Sequence, residues 1–157
     1  MKKVLVVYFS RSGYTRCVAE QIARALGADC EAIQESRPRT GWRGYWRSAR
    51  EALRGRLADI GTGSLHPHNY ELVILGTPVW AGNMSSPIRA YITRHREGFR
   101  TVALFCTQGG SGAPKVLHRM AELCGRRPIA TAFFNDKDIQ PGQTGAGLES
   151  FIAALTN

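Results

Sequence analysis

The chain has 157 residues, 43% of them apolar, seven prolines and a formal net charge of +9. That length suits one domain with a full hydrophobic core, and the apolar content excludes an intrinsically disordered protein. The apolar run that follows Lys2 and Lys3 stops after six residues, before Ser10, which is too short for a signal peptide or a membrane span. We therefore predict a single cytoplasmic domain over residues 1–157, with no transmembrane segment.

Short apolar runs alternate with helix-periodic segments along the chain. Predicted strands cover 4–9, 30–33, 72–75, 101–107 and 129–134, and predicted helices cover 13–26, 42–57, 86–96, 113–124 and 147–155. This alternation predicts an α/β fold, a doubly wound three-layer sandwich whose five-stranded parallel sheet has the order 2-1-3-4-5. Ligands bind such sheets beyond the carboxyl ends of the strands, where the strand order reverses. The loops after the first, third and fourth strands are therefore expected to carry function.

The first of these loops joins an apolar strand to a helix and consists of Ser10, Arg11, Ser12, Gly13, Tyr14 and Thr15. Hydroxyls and backbone N–H groups at a helix start hold a phosphomonoester well, with help from the helix dipole. An ordinary Ser/Thr-rich helix cap fits the same residues. The loop lacks the Gly-Lys-Ser/Thr ending of a P-loop and the GxGxxG pattern, which argues against nucleotide hydrolysis and an NAD fingerprint. Arg11 either neutralises the phosphate or points to solvent.

The second loop consists of Thr77, Pro78, Val79, Trp80, Ala81, Gly82 and Asn83, and the third of Thr107, Gln108, Gly109, Gly110, Ser111 and Gly112. Trp80 places a flat aromatic ring at the crevice, where it suits stacking on a planar heteroaromatic ligand, although a core position is the usual place for a tryptophan. The third loop has few side chains, so its backbone can approach a ligand edge closely; a flexible linker is the alternative.

With these three loops in order, the chain resembles the flavodoxin family from end to end, in its short-chain form. The resemblance implies FMN, with the phosphate on 10–15 and the isoalloxazine ring between 77–83 and 107–112. It also places the peptide group of Ala81 and Gly82 at flavin N5. The residues 77–80 and 85–88 are similar to the flavodoxin-like reductase branch.

Two departures from that family bear on function. Electron-carrier flavodoxins are acidic whereas this chain is basic, and the third loop lacks the aromatic residue that covers the second face of the ring. An open face suits a quinone or a nicotinamide, which predicts an FMN-dependent oxidoreductase linked to NAD(P)H or a quinone. The alternatives are an electron shuttle and a basic binding module that has lost the flavin. No catalytic acid–base residue and no metal site is predicted, and we interpret Cys17, Cys30, Cys106 and Cys124 as buried or half-buried free thiols.

Seven arginines lie between positions 37 and 56, a segment with a single acidic residue, Glu51. On the helix predicted over 42–57, an apolar stripe faces the sheet and a basic stripe runs parallel to it. The basic stripe is either a solvated face or a docking face for an acidic redox partner protein or an anionic lipid surface. Nucleic acid is disfavoured because the aromatic residues lie on the stripe that the sheet buries. A small-molecule electron acceptor remains the other partner class, and monomer and homodimer both stay open.

Overall fold

The computed structural model of the protein describes residues 2–35, 60–61, 63–143 and 145–157. The predicted helix 42–57 and the arginine-rich segment lie outside these residues. The described strands are β1 (Val4–Tyr8), β2 (Asp29–Ala32), β3 (Leu72–Trp80), β4 (Asn83–Met84), β5 (Thr101–Gln108) and β6 (Thr131–Asn135). The described helices are α1 (Tyr14–Leu26), α2 (Ser86–His95), α3 (Ala113–Cys124) and α4 (Ala146–Thr156). Single 3₁₀ turns occupy Pro67–Asn69, Arg96–Gly98 and Asp136–Asp138.

Five parallel strands form the sheet in the order β2-β1-β3-β5-β6, which confirms the predicted doubly wound topology. The short strand β4 was not predicted; it pairs antiparallel with the end of β3, as a side branch of the sheet. The order reverses between β1 and β3, so the crevice that such a fold offers to ligands opens at their carboxyl ends.

The two faces of the sheet bury separate core layers because successive side chains of a strand point to opposite sides. One layer joins Leu5, Val7 and Leu75 to residues of α2 and α3. The other layer joins Val6 and Phe105 to residues of α1 and α4. Within the described ranges, no helix is long and apolar enough to cross a membrane.

Gly76, in the middle of β3, is required by packing rather than by its backbone conformation. A Cβ atom at this position would lie 2.1 Å from Cζ of Phe105 on the neighbouring strand β5. The Phe105 ring therefore occupies the space where any larger residue would place its side chain.

The predicted element boundaries are right for the helix 113–124 and shifted by one or two residues for most others. The largest error is in β3, which was expected to end at Leu75 and continues to Trp80, because β5 pairs with residues 76–78 and β4 pairs with Val79 and Trp80. Residues 79–84 accordingly form a β-hairpin, whereas Thr77 and Pro78 belong to the parallel sheet. The cysteine interpretation also needs one correction, since Cys30 is exposed, whereas Cys106 and Cys124 are buried and Cys17 is intermediate.

Candidate functional site

The first loop forms the start of helix α1 without any side-chain cap. Gly13 is the N-cap residue and has a left-handed conformation, with φ of 99°. Its N–H donates to Ser10 Oγ at 3.1 Å, and the first turn of the helix contains no acidic residue. The first N–H groups of a helix have no partner within it, so this end offers donors and the positive end of the helix dipole.

The predicted phosphate-binding side chains of this loop differ in their exposure. Arg11, Ser12 and Tyr14 are exposed, whereas Ser10 and Gly13 are partly buried. Thr15 is only 1% exposed, and its Oγ1 lies 2.8 Å from Oγ1 of Thr107, which is 2% exposed. Thr15 therefore fastens the start of α1 to the carboxyl end of β5.

Residues 79–83 of the second loop form a hairpin that projects beyond the parallel part of the sheet. Ala81 and Gly82 form its two-residue turn between the paired residues Trp80 and Asn83, with φ of 47° and 72°. Two successive positive φ angles are the signature of a type I′ turn, whose twist matches that of the two flanking strands. Ala81 is a non-glycine residue in a region that favours glycine, and it is exposed at the tip of the hairpin.

The base of this hairpin is fixed by a buried hydroxyl network. Thr77 is fully buried, and its Oγ1 accepts the N–H of Ser85 at 3.0 Å. The Thr77 hydroxyl donates towards the carbonyl oxygen of Pro78, at 2.9 Å, and lies 3.0 Å from Ser85 Oγ. Thr77 thus ties β3 to the residue that precedes α2, and its side chain serves the hairpin rather than the crevice.

Trp80 packs against the residue that follows β1. Its ring meets the Phe9 ring edge to face, with 5.3 Å between centroids and an interplanar angle of 86°. Trp80 and Val79 are partly buried and pack against the core layer, and Pro78 is also partly buried. The contact brings the aromatic residue of the second loop beside the first loop, because Phe9 directly precedes Ser10.

Two neighbouring arginines lie on helices α2 and α3, and the one on α3 contacts the hairpin. The Arg119 guanidinium of α3 donates to Oδ1 of Asn83. Burial, together with the positive charge of Arg119, lowers the pKa of Arg89 in α2. Arg89 Nε is buried and has no hydrogen-bonding partner among the described residues. Arg119 therefore places a positive charge beside Asn83 of the hairpin, and Arg89 lies close enough to Arg119 to interact with it electrostatically.

The third loop is shorter than predicted, because Thr107 and Gln108 are buried residues of β5. The Gln108 side chain caps α3: its Oε1 accepts the N–H of Ala113 at 3.0 Å, and its Nε2 donates to Oδ1 of Asn135 at 3.1 Å. Gln108 therefore holds both ends of the loop in place. Only 109–112 forms the loop itself, and Gly109, Gly110 and Ser111 are exposed.

The second and third loops touch each other. Gly112 has φ of 105°, and a Cβ atom there would lie 3.5 Å from Cα of Gly82 and 3.7 Å from Cγ1 of Val79. Together with the Thr15–Thr107 and Phe9–Trp80 contacts, this approach brings all three predicted loops to one edge of the sheet.

A cavity of about 610 Å³ opens beside the first loop, a volume within the usual range for small-molecule sites. It extends towards the end of β2, and its lining includes residues that the sequence did not single out: Tyr8, Phe9, Arg16, Glu20, Ala32, Ile33, Gln34 and Glu35, beside 10–13. Burial raises the pKa of Tyr8, which remains a neutral hydroxyl in the wall of this cavity at neutral pH.

Sequence reasoning also missed an acidic residue at the same edge. Asp136 follows β6, and its Oδ2 lies 3.3 Å from the position that a Cβ atom on Gly109 would occupy. Its Oδ1 is buried and has no hydrogen-bonding partner in the described part of the chain. Burial raises the pKa of this carboxyl group. Ligands bind parallel sheets beyond the carboxyl ends of the strands, and applying this rule to the last strand as well would have singled out Asp136.

Comparisons with known proteins agree with this geometry. A family model described as Flavodoxin matches residues 3–133. A protein from Cupriavidus metallidurans named NAD(P)H dehydrogenase (quinone) is 30% identical over 98 residues, which are 59% of this chain. The chain spans about half the length of that relative (46%).

Solved structures share the fold. A flavoprotein from Lactobacillus acidophilus, crystallised in complex with FMN, superposes with a TM-score of 0.74 and 24% identity, covering 85% of this chain and 93% of its own. A candidate flavoprotein from Bacteroides eggerthii gives 0.70 and 26% identity, with 88% and 94% of the two chains covered.

Proposed function

The chain belongs to the flavodoxin family, and on that premise we propose that residues 1–157 form a single domain that binds FMN. In this proposal the phosphate lies on 10–15 and the isoalloxazine ring lies against 77–83 and 107–112. The observation that carries the proposal is the meeting of the three loops, through the Thr15–Thr107 hydrogen bond and the Phe9–Trp80 ring contact.

The residues at this edge fit the chemistry of the cofactor. An uncapped helix start without an acidic residue suits a dianionic phosphate. Trp80 supplies an aromatic surface, and exposed Gly109 and Gly110 leave room for the edge of a flat ring, since nothing lies within 4 Å of a Cβ position on Gly110. FMN itself would supply the redox chemistry, while these residues bind it, orient it and set its electrostatic surroundings.

We infer that the bound cofactor serves electron transfer, with NAD(P)H or a quinone as the small-molecule reactant. The exposed glycines of the third loop support this, because they put no bulky side chain over one side of the site. The partial match to an NAD(P)H dehydrogenase (quinone) supports the same reaction class. A cytoplasmic location, predicted from the sequence, fits such reactants and stays a prediction.

The second candidate function is an electron shuttle that docks on an acidic redox partner. It is favoured by the net charge of +9, to which the seven arginines of 37–56 contribute. Steady turnover with NADH or NADPH and a quinone supports the enzyme. Absence of turnover, combined with salt-sensitive electron exchange with a protein donor, supports the shuttle.

FMN binding is tested by titrating the apo-protein with FMN while tryptophan fluorescence is followed. Because Trp80 lies at the proposed ring position, we expect quenching that disappears in Trp80→Phe and persists in the matched control variants Trp42→Phe and Trp46→Phe. Riboflavin, which lacks the phosphate, is expected to bind at least about 10-fold more weakly, since charge-assisted hydrogen bonds are lost. Absence of binding, or quenching unchanged in Trp80→Phe, would contradict the proposal.

A further inference from the structure

Asp136 stands at the carboxyl end of β6, next to the strand that carries the third loop. Gln108 of β5 pairs with Asn135 of β6, so the residues that follow these two positions leave the sheet side by side. The 3.3 Å separation between Asp136 Oδ2 and a Cβ position on Gly109 brings the carboxylate against the backbone of the third loop. Among the described residues, no ion pair or hydrogen bond joins the Asp136 carboxylate to a cationic side chain.

The neighbouring polar groups do not satisfy this carboxylate. Oδ1 of Asp136 is buried and accepts no hydrogen bond from the residues that the structure describes. The amide of Gln108 is engaged with Ala113 and Asn135, and the Asn135 amide lies 3.5 Å from Asp138 on the exposed side of the turn. Oδ2, the oxygen beside Gly109, likewise accepts no hydrogen bond from the described residues, and it is not among the buried atoms, so it is the oxygen that a ligand with a donor can reach.

The flavin ring has a donor of the required kind. The imide edge of its pyrimidine ring presents one N–H between two carbonyl groups. Backbone N–H groups of a glycine loop can serve the two carbonyls, but they cannot accept the N–H. A carboxylate that touches the same loop can accept it, and a charged acceptor makes this the stronger type of hydrogen bond.

We propose that Asp136 is a cofactor-binding residue, whose Oδ2, the carboxylate oxygen beside Gly109, accepts a hydrogen bond from the imide N–H of FMN. The proposal rests on the FMN site described above and adds a specificity determinant to it. It assigns the third loop and the turn after β6 to one recognition surface for the pyrimidine edge. The raised pKa of Asp136 agrees with a carboxylate that is partly removed from water. The N–H of the cofactor would supply a hydrogen bond in place of the lost water.

The test compares two ligands and three proteins. The ligands are FMN and FMN methylated at the imide nitrogen, which has no N–H to donate. The proteins are the unchanged chain, Asp136→Ala and the matched control Asp138→Ala, which removes the same charge from an exposed position two residues away. Dissociation constants for the apo-proteins are measured by calorimetry or by flavin fluorescence.

We expect the unchanged protein and Asp138→Ala to prefer FMN over the methylated compound by roughly 10- to 100-fold, the range for a hydrogen bond to a charged group. In Asp136→Ala, FMN is expected to bind more weakly by a similar factor, and the preference between the two ligands is expected to collapse towards one. Thermal unfolding of apo Asp136→Ala should show no loss of stability, because the carboxylate has no partner to lose in the described structure.

Two results would overturn the assignment: the unchanged protein binds both compounds equally, or Asp136→Ala retains the full preference for FMN. Failure of the FMN site as a whole looks different. In that case the unchanged protein binds neither compound, and both proposals fall.

Discussion

The hydrogen bond between Thr15 and Thr107 is the most direct link between the first and third loops, and its removal has a predictable, non-additive cost. Both side chains are almost fully buried, at 1% and 2% exposure, with 2.8 Å between their hydroxyl oxygens. Valine has nearly the same shape as threonine. Thr15→Val therefore removes one hydroxyl and leaves the other buried without a partner, and Thr107→Val does the same in reverse.

The magnitude follows from the cost of an unsatisfied buried polar group. Each single variant is expected to lose about 1–3 kcal/mol of the free energy of unfolding, because the remaining hydroxyl keeps its desolvation penalty and loses its partner. The double variant replaces both hydroxyls with methyl groups, so its loss is expected to stay below about 1 kcal/mol. The coupling energy of the double-mutant cycle, which is the difference between the double loss and the sum of the two single losses, is then about 1–6 kcal/mol in size.

Urea unfolding of the four apo-proteins measures this coupling, with Thr131→Val on the exposed part of β6 as a control expected to change stability by about 0.5 kcal/mol or less. Additive losses, with the double variant as unstable as the sum of the two single variants, would refute the reasoning. The double variant also separates stability from binding. We expect it to bind FMN less tightly while remaining folded, because it releases the two loops from each other.

Two further predictions concern packing and pH. Gly76→Ala is expected to lower the free energy of unfolding by at least about 2 kcal/mol, because the new Cβ would lie 2.1 Å from Phe105. The control in urea unfolding is Gly145→Ala, where no atom lies within 4 Å of the new Cβ. Equal losses of stability in the two variants would contradict the packing argument. Burial, aided by Arg94, lowers the pKa of His95 from 6.5, although Glu31 opposes this. His95 then binds a proton more readily in the unfolded chain than in the folded protein. The contribution of neutral His95 to the free energy of unfolding is therefore present above pH 6.5 and is lost as the pH falls. Between pH 7.5 and 5, His95→Gln should lose less stability than the unchanged protein in urea unfolding, and an equal loss in the two proteins would contradict this reasoning.

The order of the sheet could be predicted because the apolar runs are short, separate and regularly interrupted by helical periodicity. The end of β3 could not, because residues 76–78 continue the strand by pairing with β5, and Val79 and Trp80 find their partners in β4 only after the chain has reversed. Asn-Gly or Gly-Gly at the turn would have indicated a hairpin. Here Ala81 occupies the first turn position, and alanine rarely signals a positive φ.

For the site as well, part could be predicted from the sequence and part is seen only in the structure. The meeting of the three loops follows from topology, and the structure adds the contacts that hold them, such as Thr15 on Thr107 and Gly112 beside Gly82. What the sequence could not reveal is which polar side chains are already engaged. Gln108 was expected to be available to a ligand, and its amide instead caps α3 and binds Asn135. The sequence analysis did not single out Asp136, whose buried Oδ1 has no hydrogen-bonding partner among the described residues.

The charges around the proposed ring oppose each other, and their balance bears on which redox role the site can serve. A positive charge roughly 10 Å from a flavin contributes about 0.4 kcal/mol in water, which raises the potential for forming an anionic reduced ring by about 17 mV. A carboxylate roughly 5 Å away contributes about twice as much in the opposite direction. A carboxylate at the shorter distance therefore offsets about two positive charges at the longer one. In the proposed site, the potential of the bound FMN then depends on how close the carboxylate of Asp136 lies to the ring compared with the guanidinium groups of Arg89 and Arg119.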